Sequence, residues 1–141
     1  MKLSTTQTNA HLRTRRDHAN ETAEDYVEAI ADIIDESGGC RCIDLAKCFA
    51  VSHVTVNRIV TRLQKEGLIS TEPYRPILLT VKGKRLAAKC RERHNIVYRF
   101  LLAIGIDEET ATIDAEGIEH HVSQTTLQRF LELTEQFVAN R

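Results

Sequence analysis

Tryptophan is absent from this 141-residue chain and aromatic side chains make up only 5% of it. Any core must therefore be built mainly from Ile, Leu, Val and Ala. No stretch approaches the roughly 18 consecutive apolar residues that a membrane span needs. The N-terminal run MKLSTTQTNAHLRTRRDHAN has no apolar centre, so it does not resemble a secretory signal. A cytoplasmic protein with no membrane partner is expected, and residues 1–20 are expected to form a flexible basic N-terminal arm. There is no H-E-x-x-H, no Gly-rich phosphate loop and no nucleophile elbow. Nor is there a Glu-x-x-His pair of the di-iron type, since residue 117, three before His120, is glycine. These absences point away from an enzyme and from a small-molecule substrate.

C-x-x-C pairs are missing too. The four cysteines, Cys40, Cys42, Cys48 and Cys90, are expected to be free thiols in a reducing compartment, with Cys48 a small core residue. A strongly basic balance is also lacking, because the formal net charge is −1. The distribution is uneven, however: residues 1–38 carry a net −4, residues 39–99 a net +9 and residues 100–141 a net −6. A basic middle suits a nucleic-acid surface, and acidic flanks suit cations.

Helical spacing of Tyr26, Ile30, Ile33 and Ile34 predicts a helix from Thr22 to Ser37, capped by Thr22 and closed by Gly38-Gly39. A short helix over Ile43–Phe49 should bury Leu45, Ala46 and Phe49. Ala50-Val51-Ser52 then makes a tight turn into a helix over His53–Glu66, with Ser52 as N-cap and Val56, Ile59, Val60 and Leu63 inward. This is a helix-turn-helix pattern. Leu68-Ile69-Ser70 and Ile77–Thr80 read as two strands around a Pro-containing loop, which is a wing. Thr80 can cap a long helix from Val81 to Ile104, ended by Gly105. A helix from Asp107 to His121 follows, and then a last one capped by Ser123, with Leu127, Phe130, Leu131, Leu133 and Phe137 inward. The expected fold is mostly α: a winged helix-turn-helix domain over 21–90, followed by an all-helical metal-binding and dimerisation domain over 91–141.

On the second helix of the pair, Ser52, His53, Thr55, Asn57 and Arg58 occupy the turns from which base edges are reached. Arg58 suits guanine and Asn57 suits adenine. Arg62, Lys65, Arg75 and Lys47 suit phosphates, which position the protein without specifying sequence. The expected partner is double-stranded operator DNA.

Glu116, Glu119 and His120 stand at i, i+3 and i+4, on one helical face. The two carboxylates would repel each other, and no Arg or Lys lies within a turn on that helix. The pattern reads either as a solvated acidic face or as half of a cation site. Asp25 and Glu28 are a second one-faced carboxylate pair, and His94 sits midway along the long helix. Carboxylate and imidazole donors without thiolate favour Mn(II)-like ions.

Over about residues 22–138 the chain resembles the manganese-sensing branch of the diphtheria toxin repressor family. The resemblance is carried by EDYVE (Glu24–Glu28), AVS with VTRLQKEGLI, LLTVKGK (Leu78–Lys84), Arg93-His94, the Phe100–Gly105 segment and DAEGIEHHVS (Asp114–Ser123). It implies metal ligands at Asp25, Glu28, His94, Glu116, Glu119 and His120, with two Mn(II) ions per subunit and Fe(II), Co(II), Cd(II) or Zn(II) as substitutes. Iron-sensing relatives carry cysteine at the position of Glu119, and an additional C-terminal domain that is not expected here. The resemblance further implies a homodimer, formed through residues 106–141, that represses manganese-transport genes from palindromic operators. Its wing departs from the family: Tyr74-Arg75-Pro76 has proline where glycine usually follows the arginine, which fixes φ and removes an amide donor. Competing expectations are a winged-helix regulator that responds to thiol oxidation or another ligand, an iron-responsive repressor of the same family, and a carboxylate-histidine metalloenzyme.

Overall fold

The computed structural model describes residues 4–140, apart from the side chain of Ala19. The described residues form six helices and one small sheet: α1 (Thr5–Ser37), α2 (Cys42–Phe49), α3 (His53–Lys65), β1 (Ile69–Ser70), β2 (Leu78–Leu79), α4 (Val81–Ala103), α5 (Glu108–Glu119) and α6 (Gln124–Ala139). They divide into two compact units. One spans residues 19–89; the other combines residues 1–18 with 90–141. Among the described residues no helix is long and apolar enough to cross a membrane.

The unit 19–89 is the winged helix-turn-helix. Its core gathers Tyr26, Val27 and Ile30 of α1, Leu45 of α2, Val56, Val60 and Leu63 of α3, and Leu68, Ile69 and Ile77 of the hairpin. Tyr26 stacks on Phe49, with ring centroids 4.2 Å apart. Ser52 caps α3 as expected, its Oγ accepting from Thr55 N at 3.2 Å. The turn before it places Ala50 at φ 52, a left-handed conformation more usual for glycine. Antiparallel β1 and β2 pair Ile69 with Leu79 and Ser70 with Leu78. Cys40 bridges Ile77 beyond them, with Ile77 N donating to Cys40 O at 2.8 Å.

Thr80 ties this hairpin to α4. Its backbone N donates to Leu68 O at 3.1 Å, its hydroxyl donates to Gly67 O at 2.6 Å, and its Oγ1 accepts from Gly83 N at 3.1 Å. Gly83 is consequently pressed against the strand: a Cβ there would lie 2.0 Å from Leu68 O. Backbone cannot yield as a flexible side chain would.

The other unit packs Val97 of α4, Ala115 of α5 and Leu127 of α6 together, with Phe100 stacked on Phe130 at 4.1 Å. Asp107 and Ser123 cap α5 and α6, accepting from Thr110 N at 3.0 Å and Thr126 N at 3.2 Å. Helix α5 ends at Glu119, short of the expected His121. Phe137, expected inward, is 41% exposed because the last turns of α6 run past the packed residues.

The N-terminal segment departs most from expectation. Residues 5–20 continue α1 rather than forming an arm, and Thr22 lies inside that helix instead of capping it; residues 1–3 of the expected arm, like residue 141, lie outside the described residues. No apolar stripe announces this extension. A reciprocal capping box starts it: Gln7 N donates to Ser4 Oγ at 3.1 Å and Ser4 N donates to Gln7 Oε1 at 2.9 Å. Arg13 adds an i,i+4 pair with Asp17 at 3.6 Å and donates from Nη2 to His121 O at 3.2 Å. Residues 4–18 thereby cluster with 90–140, which sequence periodicity does not reveal.

Gly83→Ala is expected to destabilise the protein by about 3 kcal/mol through overpacking. Urea unfolding followed by circular dichroism checks this; an unchanged midpoint would show that the strand yields freely.

Candidate metal centre and nucleic-acid interface

In the unit 19–89, α1 carries Asp25 and Glu28 one turn apart, both half-buried. Both stand beside core positions, Asp25 next to buried Tyr26 and Glu28 next to buried Val27, so neither is a freely solvated charge.

In the other unit, α4 and α5 bring His94 and Glu116 together, with Nδ1 3.1 Å from Glu116 Oε2. That nitrogen is closed to solvent, yet the pair is not aligned as a hydrogen bond. Two donor atoms close together without sharing a well-placed proton fit a divalent cation between them. Glu119 is fully buried and His120 is nearly so, with Glu119 Oε1 3.3 Å from His120 Nε2. The other carboxylate oxygen, Oε2, accepts from Arg93 Nε at 3.1 Å. Sequence reasoning missed this arginine. It looked for a cation within a turn on the same helix, whereas the cation comes from α4. The signal was the residue before His94. Arg93 compensates one carboxylate charge and leaves Glu116, half-exposed at 53%, with the imidazole of His94.

His121, next to this cluster, faces the N-terminal part of α1 instead. Its ring centroid lies 5.0 Å from that of His18, and its Nδ1 is 3.8 Å from Asp17 Oδ2.

The basic surface is built on α3 and the hairpin. His53, Asn57, Arg58, Arg62 and Lys65 are exposed, as is Ser52 at the cap; Thr55 is half-buried, its hydroxyl accepting from Ser52 Oγ at 3.2 Å. Lys47 of α2 is exposed as well. Val56, Val60 and Leu63 bury the opposite face of the helix. Arg62 pairs with Glu66 at 2.9 Å and Arg75 with Glu72 at 3.5 Å, both in solvent, where such pairs contribute little and exchange readily for phosphate. His53, Asn57 and Thr61 line one groove of about 610 Å³ with Tyr74 and Arg75 of the hairpin loop. Tyr74 sits at the tip at φ 64 and is 97% exposed. Arg41 Nη1 donates to Tyr74 O at 3.5 Å, and Arg75 N closes the turn on Glu72 O at 3.1 Å. A left-handed tyrosine thus makes the bend before Arg75-Pro76.

None of the four cysteines forms a disulfide. The expectation that Cys48 is a core residue is overturned: it is exposed, and Cys40 is the buried one. Cys48 falls on the outward side of α2, whereas Cys40 takes part in the bridge to Ile77. Burial, then the neighbouring Asp44, Cys42 and Cys48, push the Cys40 thiol up to about 12.

Residues 18–77 match the family described as iron dependent repressor, N-terminal DNA binding domain, and residues 80–140 match its metal binding and dimerisation domain. The chain is 48% identical over 122 residues to the transcriptional regulator MntR of Salmonella typhimurium strain LT2, covering 86% of this chain and 78% of that one. It is 40% identical over 114 residues to the HTH-type transcriptional regulator MntR of Bacillus subtilis strain 168, covering 81% and 80%. A solved manganese-dependent transcriptional repressor in complex with manganese superposes with a TM-score of 0.72 at 25% identity, over 80% of this chain and 52% of that one. The chain therefore spans about half the length of that solved repressor.

Alkylation follows from the thiol environments. Iodoacetamide at pH 8 is expected to modify Cys48 readily and to leave Cys40 untouched until the protein unfolds. Peptide mass spectrometry of the folded protein reads the difference; modification of Cys40 at the rate of Cys48 would contradict the burial account.

Proposed function

Because the chain belongs to the MntR group of the iron-dependent repressor family, we propose that it is a manganese(II)-activated transcriptional repressor acting as a homodimer on palindromic operators of manganese-transport genes. The observation that carries the metal reading is the closed, unaligned approach of His94 Nδ1 to Glu116 Oε2 at 3.1 Å. Asp25, Glu28, His94, Glu116, Glu119 and His120 form the proposed ligand set, sufficient for two ions per chain. Oxygen and imidazole donors select Mn(II), with Fe(II), Co(II), Cd(II) and Zn(II) as substitutes that load without matching its activation. A bound divalent cation supplies the positive charge that cancels carboxylate repulsion and fixes the donors in one arrangement. Arg93 holds Glu119 so that one of its oxygens is already committed. His94 and Glu116 keep α4 and α5 in register. Asp25 and Glu28 belong to the DNA-binding unit, so in this reading metal binding couples that unit to the dimerisation unit and removes freedom that operator binding must otherwise suppress.

On DNA, Ser52, His53, Thr55, Asn57 and Arg58 are the proposed base-facing residues, and Arg62, Lys65, Arg75 and Lys47 hold phosphates. The net +9 of residues 39–99 supports this assignment. Dimerisation through residues 106–141 is supported by the exposed apolar side chains Ile113, Phe137 and Val138 on α5 and α6.

Fluorescence anisotropy on an operator fragment at fixed salt tests the proposal. Mn(II) is expected to tighten binding by more than about tenfold. Glu116→Ala and His94→Ala should remove that gain. Arg58→Ala should weaken the Mn(II)-loaded complex by about 1–3 kcal/mol. Equal binding with and without Mn(II) would overturn the metal-gated reading and leave only a DNA-binding protein.

A further inference from the structure

We propose that His18 and His121 form a second metal site, separate from the carboxylate-rich one and selective for ions that prefer imidazole, such as Zn(II), Co(II) or Cu(II). The two residues come from opposite ends of the sequence, the N-terminal part of α1 and the segment just after α5. Each offers a ring nitrogen, and these nitrogens lie within 4.8 Å of each other. The rings are tilted by 55° with centroids 5.0 Å apart, so they do not stack face to face. They open on a pocket of about 360 Å³ lined by Ala10, Arg13, Thr14, Asp17, His18 and His121. That volume admits an ion together with water ligands.

Asp17 supplies the feature that separates a metal site from a chance pair of histidines. Its Oδ2 stands 3.8 Å from His121 Nδ1. A carboxylate close to an imidazole is an arrangement common around metal-bound histidine. His121 is a ligand of the proposed site, with Asp17 beside it. Arg13 fixes the frame from the other side: it donates to His121 O at 3.2 Å and pairs with Asp17 at 3.6 Å. Imidazole ligands suit Zn(II), Co(II) and Cu(II), which lie above Mn(II) in the affinity order for nitrogen donors. The consequence is an ion that pins the N-terminal extension of α1 to the end of α5 independently of Mn(II).

The test is titration of Co(II), read by its visible d–d absorption, into the full-length chain carrying Asp25→Ala and Glu116→Ala so that the proposed Mn(II) site is disabled. One Co(II) per chain with imidazole-type bands is expected. His18→Ala should weaken its binding by more than about tenfold, and Asp17→Asn by about tenfold. No Co(II) signal in that background, or a signal unchanged by His18→Ala and by His121→Ala, overturns the proposal. If the background variant fails to fold, histidine-ring NMR of the otherwise unmodified chain decides. Sub-stoichiometric Zn(II) should shift the His18 ring resonances, and unshifted resonances overturn the site.

Discussion

Buried and half-buried carboxylate is the constraint on which the rest of the structure depends. Glu116 and Glu119 stand on one face of α5, and Asp25 and Glu28 stand one turn apart on α1. Burying the Glu119 carboxylate costs several kcal/mol unless a partner of opposite sign is supplied. The protein supplies one part itself, with Arg93 reaching from α4 to Glu119. Imidazoles at His94 and His120 sit against the remaining oxygens at 3.1 and 3.3 Å. In the proposed reading, a divalent cation held by such carboxylate and imidazole donors adds the positive charge that Arg93 supplies only to Glu119.

The DNA-binding unit answers a different need, which is rigidity. Its apolar core is continuous from α1 through the hairpin. Thr80 and Gly83 lock the hairpin to the start of α4 by three hydrogen bonds and a backbone contact too close for any side chain. The exposed face of α3 and the tip at Tyr74 are thereby presented by a frame that has little freedom to rearrange on its own. Whatever adjusts operator spacing in the proposed dimer must then act on whole units and not within this one.

The helix-turn-helix, the hairpin and the caps at Ser52, Thr80 and Ser123 were legible because each is written in local residue chemistry. The apolar stripes of α1 and α3 were legible for the same reason. What sequence could not show was contact between distant segments. Residues 5–20 have no apolar stripe, so their helix rests on a Ser4–Gln7 capping box that went unread and on Arg13 meeting the His121 carbonyl. Arg93 was invisible as the partner of Glu119 because it is 26 residues away. Cys40 and Cys48 exchanged their expected places because burial at the Ile77 bridge is a tertiary fact. Of the site residues, the spacing on α1 and α5 was readable; the 3.1 Å approach of His94 to Glu116 was not.

The most direct test of the central claim is calorimetric unfolding of the full chain in chelator, in Mg(II) and in Mn(II). If external cation completes the carboxylate cluster, Mn(II) at a hundred times its dissociation constant raises stability by about 2.7 kcal/mol. Mg(II) should do far less, and Glu116→Ala should abolish the Mn(II) effect. An unfolding temperature identical in chelator and in Mn(II), or a rise that survives Glu116→Ala, would contradict the account.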